Sequence, residues 1–148
     1  MLVLGYLESM IPLAPAIPGI KLGLSNAVLL YAVYLLPVPI ALSLMLVKVF
    51  LSALLFANPL ALAFSLAGGI FSIAGMLLGH RFGKFGVVGI SVLGAVLHNA
   101  GQLAVALRLV GNANILYYGA LLTLAGIGTG ILTGIVAGLV IKAVGKKW

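Results

Sequence analysis

The string LHNAGQ, Leu97 to Gln102, lies inside a long apolar run and carries an imidazole and two amides. On a helix, Ser91, Ala95, His98, Asn99 and Gln102 fall within an arc of roughly 100°. Such a stripe can offer hydrogen bonds to a bound molecule as one wall of a cavity. It can equally be a satisfied cluster between helices, because polar groups at membrane depth must find partners. The cavity reading expects Ser91, His98 and Gln102 to be less lipid-exposed than Val92 and Leu103 on the same helix. Lys48 lies near the middle of another apolar run, with Ser52 one turn on. A charge at that depth costs at least ~2.5 kcal/mol on insertion scales. Lys48 is therefore expected to point inward, toward an anionic or carbonyl group. The plainer alternative is a structural pairing with backbone carbonyls. Lys21 and Arg108 lie near helix ends, where water can reach them. Glu8 is the only acidic residue, hence the obvious counter-ion for Lys21 or Lys48.

Much chemistry is excluded by what is missing. Acid–base catalysis by paired carboxylates needs two, and the chain has one. Magnesium sites for diphosphate chemistry need several oxygen ligands, usually carboxylates. His80 and His98 fall on different segments and at different depths, which argues against a metal site. No phosphate-binding loop of the Walker kind is present, so the chain cannot power transport by itself. There are no cysteines, hence no disulfides. Neither a metal nor a cofactor is expected.

These side chains must be positioned by apolar helices. Of 148 residues, 64% are hydrophobic and 6% charged, and the mean hydropathy is +1.37. A soluble domain carries about 25% charged residues, so this surface must face lipid. A span needs roughly 20 apolar residues, which allows about six. Runs such as AVLLYAVYLL do not alternate, as a membrane barrel would require. The expected fold is an all-α membrane protein, a compact bundle of five to six transmembrane helices in a single domain over residues 1–148, with a short first helix.

The first apolar piece, Met1 to Ile11, is too short to cross a core of about 30 Å. The loop PLAPAIPG follows. The second span runs from about Ile20 to Leu36, ended by Pro37 and Pro39, and the third from Ile40 to Ala57, before the turn Asn58-Pro59. The fourth covers Leu60 to Gly79, and HRFGKFG makes a polar break. The fifth covers Val87 to Val110, GNAN turns the chain, and the sixth covers Ile115 to Val144. His80, Arg81 and Lys84 then share one side with Lys142, Lys146 and Lys147. By the positive-inside rule that side, with the C-terminus, is cytoplasmic in a multi-pass protein of the cell membrane. The basic residues are scattered and mark topology, not a nucleic-acid surface.

Gly126, Gly130, Gly134 and Gly138 recur every four residues and form one broad stripe on the sixth span. Small residues let helices approach closely in lipid. The stripe either packs inside the bundle or docks onto another membrane subunit. Gly75 and Gly79 form a shorter pair on the fourth span.

The string LESMIP, then IPGIKLGLSNAVLLYAVYLL, Gly68-Gly69 and LHNAGQL resemble the Gx transporter family, often labelled heptaprenyl diphosphate synthase component I. The resemblance covers nearly the whole chain, although only the last part of the family's first helix, Met1 to Ile11, is present. Members are similar to the substrate-binding S components of energy-coupling factor transporters. Those are small six-helix bundles that work with a transmembrane coupling subunit and two ATPases. The resemblance implies a subunit that captures a small molecule, anionic or lipid- or cofactor-like, held by Lys21, Asn26, Lys48, His98, Asn99 and Gln102, with Glu8 orienting a lysine. It does not imply catalysis: prenyl diphosphate synthases hold magnesium with aspartate-rich motifs, and this chain has no Asp. The competing reading is a non-catalytic adaptor for a prenyl-lipid, quinone or flavin system.

Overall fold

Proline and glycine set the boundaries of the helices. In the computed structural model residues 24–56, 59–112 and 114–144 are described, and they form five helices. These are α1 (Leu24–Leu35), α2 (Val38–Phe56), α3 (Pro59–Phe82), α4 (Val87–Val110) and α5 (Ile115–Ala143). They correspond to the second to sixth expected spans. Glu8 and Lys21 lie outside the described residues, as does the short first piece.

Pro37 separates α1 from α2, and its carbonyl accepts from Ile40 and Ala41 N–H at 2.9 and 3.2 Å. Pro39 falls in the first turn of α2, where its missing N–H costs nothing. Pro59 opens α3 in the same way. One boundary differs from the expectation. HRFGKFG is not broken at its start, because α3 continues through Phe82 and carries His80 and Arg81 in its last turn. The stop is Gly83, whose φ of +64° suits a residue without Cβ. Basic side chains in a last turn also complement the helix dipole. Gly111 ends α4 at φ +66°, its N–H donating to the Leu107 carbonyl at 3.0 Å. Asn112 Oδ1 then accepts the Asn114 N–H at 2.9 Å, so GNAN turns as its residues suggest.

Three helices are long and apolar enough to cross a membrane: the stretch Leu62–Phe82 within α3, then α4 and α5. Asn26–Leu35 and Val38–Leu51 are shorter apolar stretches. Large apolar side chains crowd the outside of the bundle, with Leu54 78% and Leu124 67% exposed. Water would not tolerate so much contiguous apolar surface, whereas hydrocarbon does.

α4 lies between α3 and α5, α1 touches all four other helices, and α2 packs on α1 and α3. The pairing of α4 with α5 is antiparallel and regular. Val88 lies against Gly134, Val92 against Gly130, Asn99 and Ala95 against Gly126, and Leu103 against Gly119. A Cβ on Gly130 would sit 2.7 Å from Val92 Cα, and one on Gly134 2.7 Å from Val88 Cα. These are backbone contacts that no rotamer change can relieve. The glycine stripe is therefore filled from within the chain. Of the two readings of the stripe, packing inside the bundle is the one these contacts support, because α4 occupies the face that carries Gly126, Gly130 and Gly134; Gly138 is buried too.

Large buried side chains gather toward the end of the bundle that holds Pro37, Gly83 and Ala143, here called the basic end: Ile73, Met76, Val87, Ile90 and Ile141. Gly130→Ala is expected to destabilise the bundle by ~1–3 kcal/mol through overpacking. Gly128→Ala, whose Cβ would meet nothing within 4 Å, gains up to ~1 kcal/mol of helix propensity. Thermal unfolding of both variants in detergent, followed by circular dichroism, checks this. Equal midpoints would mean that the stripe does not set the helix spacing.

Candidate functional site

Successive positions on α4 show where burial is complete and where it is not. Val87, Ser91 and Gly94 lie on the side of α4 between its contacts with α3 and those with α5, and all are buried. His98, Gln102 and Val105 continue the same line toward the opposite end, and they are only half-buried. Burial falls along the line.

The polar stripe divides by role. Ser91 is bound into the core, its Oγ 2.9 Å from Thr133 Oγ1 on α5. Thr133 also donates within its own helix to the Thr129 carbonyl at 2.8 Å. Asn99 Nδ2 donates to the Leu122 carbonyl on α5 at 2.6 Å, which commits its amide nitrogen to the α4–α5 seam. For these two residues the interhelical cluster is what forms. The His98 ring lies flat on α3, and a Cβ on Gly68 would come within 2.8 Å of His98 Cε1. It can lie there because Gly101 brings the two backbones together: a Cβ at Gly101 would sit 2.6 Å from the Ala67 carbonyl oxygen.

The expected contrast with Val92 and Leu103 holds for Ser91 alone. Val92 and Leu103 are half-buried like His98 and Gln102, because they meet Gly130 and Gly119 of α5 and not lipid. The glycine stripe widened the covered face of α4 beyond what the polar residues marked.

Lys48 and Asn26 approach the same depth from other helices. Lys48 is half-buried and shares its arc of α2 with buried Ala41, Met45 and Val49. Met45 and Val49 lie against Gly69, a Cβ there being 2.8 Å from Met45 Sδ. Lys48 on α2 and His98 on α4 therefore flank the Gly68-Gly69 level of α3 from two sides. Asn26, half-buried on α1, is two turns from Tyr34, whose ring meets His80 edge-on at 4.6 Å. At 1.5 Å per residue Asn26 stands ~12 Å from that contact and Gly68 ~18 Å, a difference of about one turn. Ser72, fully buried one turn from Gly68, has no hydrogen-bond partner for its Oγ. Nothing in the sequence pointed to Ser72, and the fourfold spacing of Thr129 and Thr133 beside the glycine stripe is the one sign of Thr133.

A profile of heptaprenyl diphosphate synthase component I matches residues 1–140. The chain belongs to this family. It is a membrane protein of the component I family, a bundle with long apolar helices. No curated protein and no solved structure matches it. Among the described residues of this component I chain, no group of three or more His, Cys, Asp or Glu is placed to hold a metal.

The Ser91–Thr133 bond links α4 to α5 but is backed up by the Thr129 carbonyl. In a double-mutant cycle of Ser91→Ala and Thr133→Val, read by unfolding in detergent, the coupling is expected near 0.6 kcal/mol and below ~1.7. A larger value would mean that the seam depends on this bond more than on its glycines.

Proposed function

We propose that this chain is the substrate-capturing membrane subunit of a transporter, holding a small anionic molecule between α1, α2 and α4. One observation carries the reading: His98 and Gln102 are half-buried on the inward side of α4, at the level where half-buried Lys48 enters from α2. A cation, an imidazole and amides at one depth suit an anion with hydrogen-bonding groups. Lys48, Asn26, His98 and Gln102 form the contact set, and Asn99 holds the wall on which His98 and Gln102 stand. Lys21 and Glu8 complete the set on the N-terminal segment. Arg81, Lys84 and Lys142 lie at one end, which the positive-inside rule makes cytoplasmic. The half that carries His98 and Gln102 then faces outward in the cell membrane. Energy would come from a transmembrane coupling subunit with ATPases. The chain performs no chemistry itself, since its one carboxylate cannot supply an acid–base pair or a magnesium site.

The family description supports a second reading. A component I of a prenyl diphosphate synthase would be a non-catalytic membrane partner for another synthase component. Copurification separates the two: an ATPase module favours transport, a soluble synthase subunit favours the adaptor.

Once native mass spectrometry of gently extracted protein has named a retained ligand, titration tests the site. Lys48→Ala is expected to weaken binding about 10- to 100-fold, the loss of a charge-assisted contact of ~1.5–3 kcal/mol. Arg81→Ala, at the basic end, should change it by less than about twofold. Equal losses in the two variants would move the site away from α2.

A further inference from the structure

A second concave surface lies on the outside of the bundle. Between α3 and α4, away from the basic end, a groove of about 590 Å³ is lined by Pro59, Ala63, Phe71, Gly101, Ala104 and Arg108, among others. It shares Val105 with the line of α4 residues described above, but neither His98, Gln102 nor Lys48 lines it. On α3, Ala63, Ala67 and Phe71 lie on the opposite side of the helix from buried Ser72, Ile73 and Met76. The groove therefore opens sideways, toward the bilayer. Its origin is local. The glycine contact at Gly101 pins α3 and α4 together, and beyond it the small side chains of Ala63 and Ala104 fail to fill the gap between the backbones.

We propose that this groove holds one acyl chain of an anionic phospholipid from the surrounding leaflet, with the lipid phosphate at Arg108. Length supports the chain. From Pro59 to Phe71 the groove follows α3 for ~18 Å, close to the ~15 Å of one leaflet's hydrocarbon. Chemistry supports it too, because the lining is apolar except at its end. There Arg108 stands in the last turn of α4, exposed. Among the described residues it is the only basic side chain at that end of the bundle; Arg81, Lys84 and Lys142 are at the other, and Lys48 is mid-helix. A guanidinium at the interface, above an apolar slot one leaflet deep, matches a phosphate carried on a hydrocarbon chain. A water-soluble anion would leave the slot empty, and a zwitterionic headgroup would set a cation of its own beside the guanidinium. The proposal does not depend on the interior site or on transport.

The test is native mass spectrometry of the whole protein from mixed micelles doped with phosphatidylglycerol, phosphatidylcholine or undecaprenyl phosphate. Phosphatidylglycerol is expected to be retained at least about tenfold more strongly than phosphatidylcholine. Arg108→Gln should remove that preference, Arg108→Lys should keep most of it, and Arg81→Gln should leave it intact. Ala104→Phe, which fills the slot from a lipid-facing position, should lower retention of both phospholipids. Circular dichroism of each variant confirms that the helices persist, and should Arg108→Gln not fold, the Ala104→Phe and lipid-competition arms still decide. Equal retention of the two phospholipids, or unchanged retention in Ala104→Phe, overturns the proposal. Retention of undecaprenyl phosphate in preference to phosphatidylglycerol overturns the choice of lipid and assigns the groove to isoprenoid chains.

Discussion

Backbone-to-backbone contact between α4 and α5 is the constraint on which the rest of the bundle depends. In hydrocarbon no hydrophobic force drives helices together, so association rests on close packing and a few interhelical hydrogen bonds. The glycines at 126, 130 and 134 remove the Cβ atoms that would hold the helices apart. The resulting seam orients α4, and the orientation of α4 decides which of its residues face inward. Ser91 and Asn99 are drawn into the seam, and His98 and Gln102 are left beside it. The same device recurs on the other flank, where Gly68 and Gly101 bring α3 to α4 and give the His98 ring a flat surface. One helix is thus held on both sides at glycines, by backbone contact at Gly101, Gly130 and Gly134 and by side chains such as Leu97 and Met76 seated on Gly75 and Gly94.

Much of this was legible in the sequence, and the reasons differ from element to element. The limits of α4 follow from residues with strong local preferences: Gly86 before it and Gly111 after it. The start of α3 is equally plain at Pro59. The end of α3 was not, since His80 and Arg81 look like loop residues in a hydrophobic chain. They belong to the helix because a last turn at the membrane surface welcomes cations, and because no residue between His80 and Gly83 is suited to leave the helical conformation. Polarity located a stripe on α4, yet polarity alone cannot say what covers the neighbouring positions. Val92 and Leu103 look lipid-facing until the glycines opposite them are placed. Contacts of that kind depend on the register between two helices, which no single-helix periodicity contains. The groove beside Arg108 was hidden for the same reason: alanine is unremarkable in a membrane span, and only the splay of two helices turns Ala63 and Ala104 into a cavity.

The two ends of the bundle are built from different materials. Toward Pro37, Gly83 and Ala143 the interior holds branched and long side chains, which interlock and exclude space. Toward Gly111 it is lined mostly by Gly101, Gly119, Gly126 and Ala95, which bring backbones close, with Leu122 as the large buried side chain among them.

The regular α4–α5 seam also bears on how the molecule can move. Sliding one helix along the other by a single residue would drive Cβ atoms into the backbone positions now taken by glycine. The hairpin of α4 and α5 is therefore locked in register, and with α3 pinned at Gly101 it behaves as one rigid slab. α2, by contrast, meets α3 at Gly69 through the side chains of Met45 and Val49, and a thioether has freedom to repack.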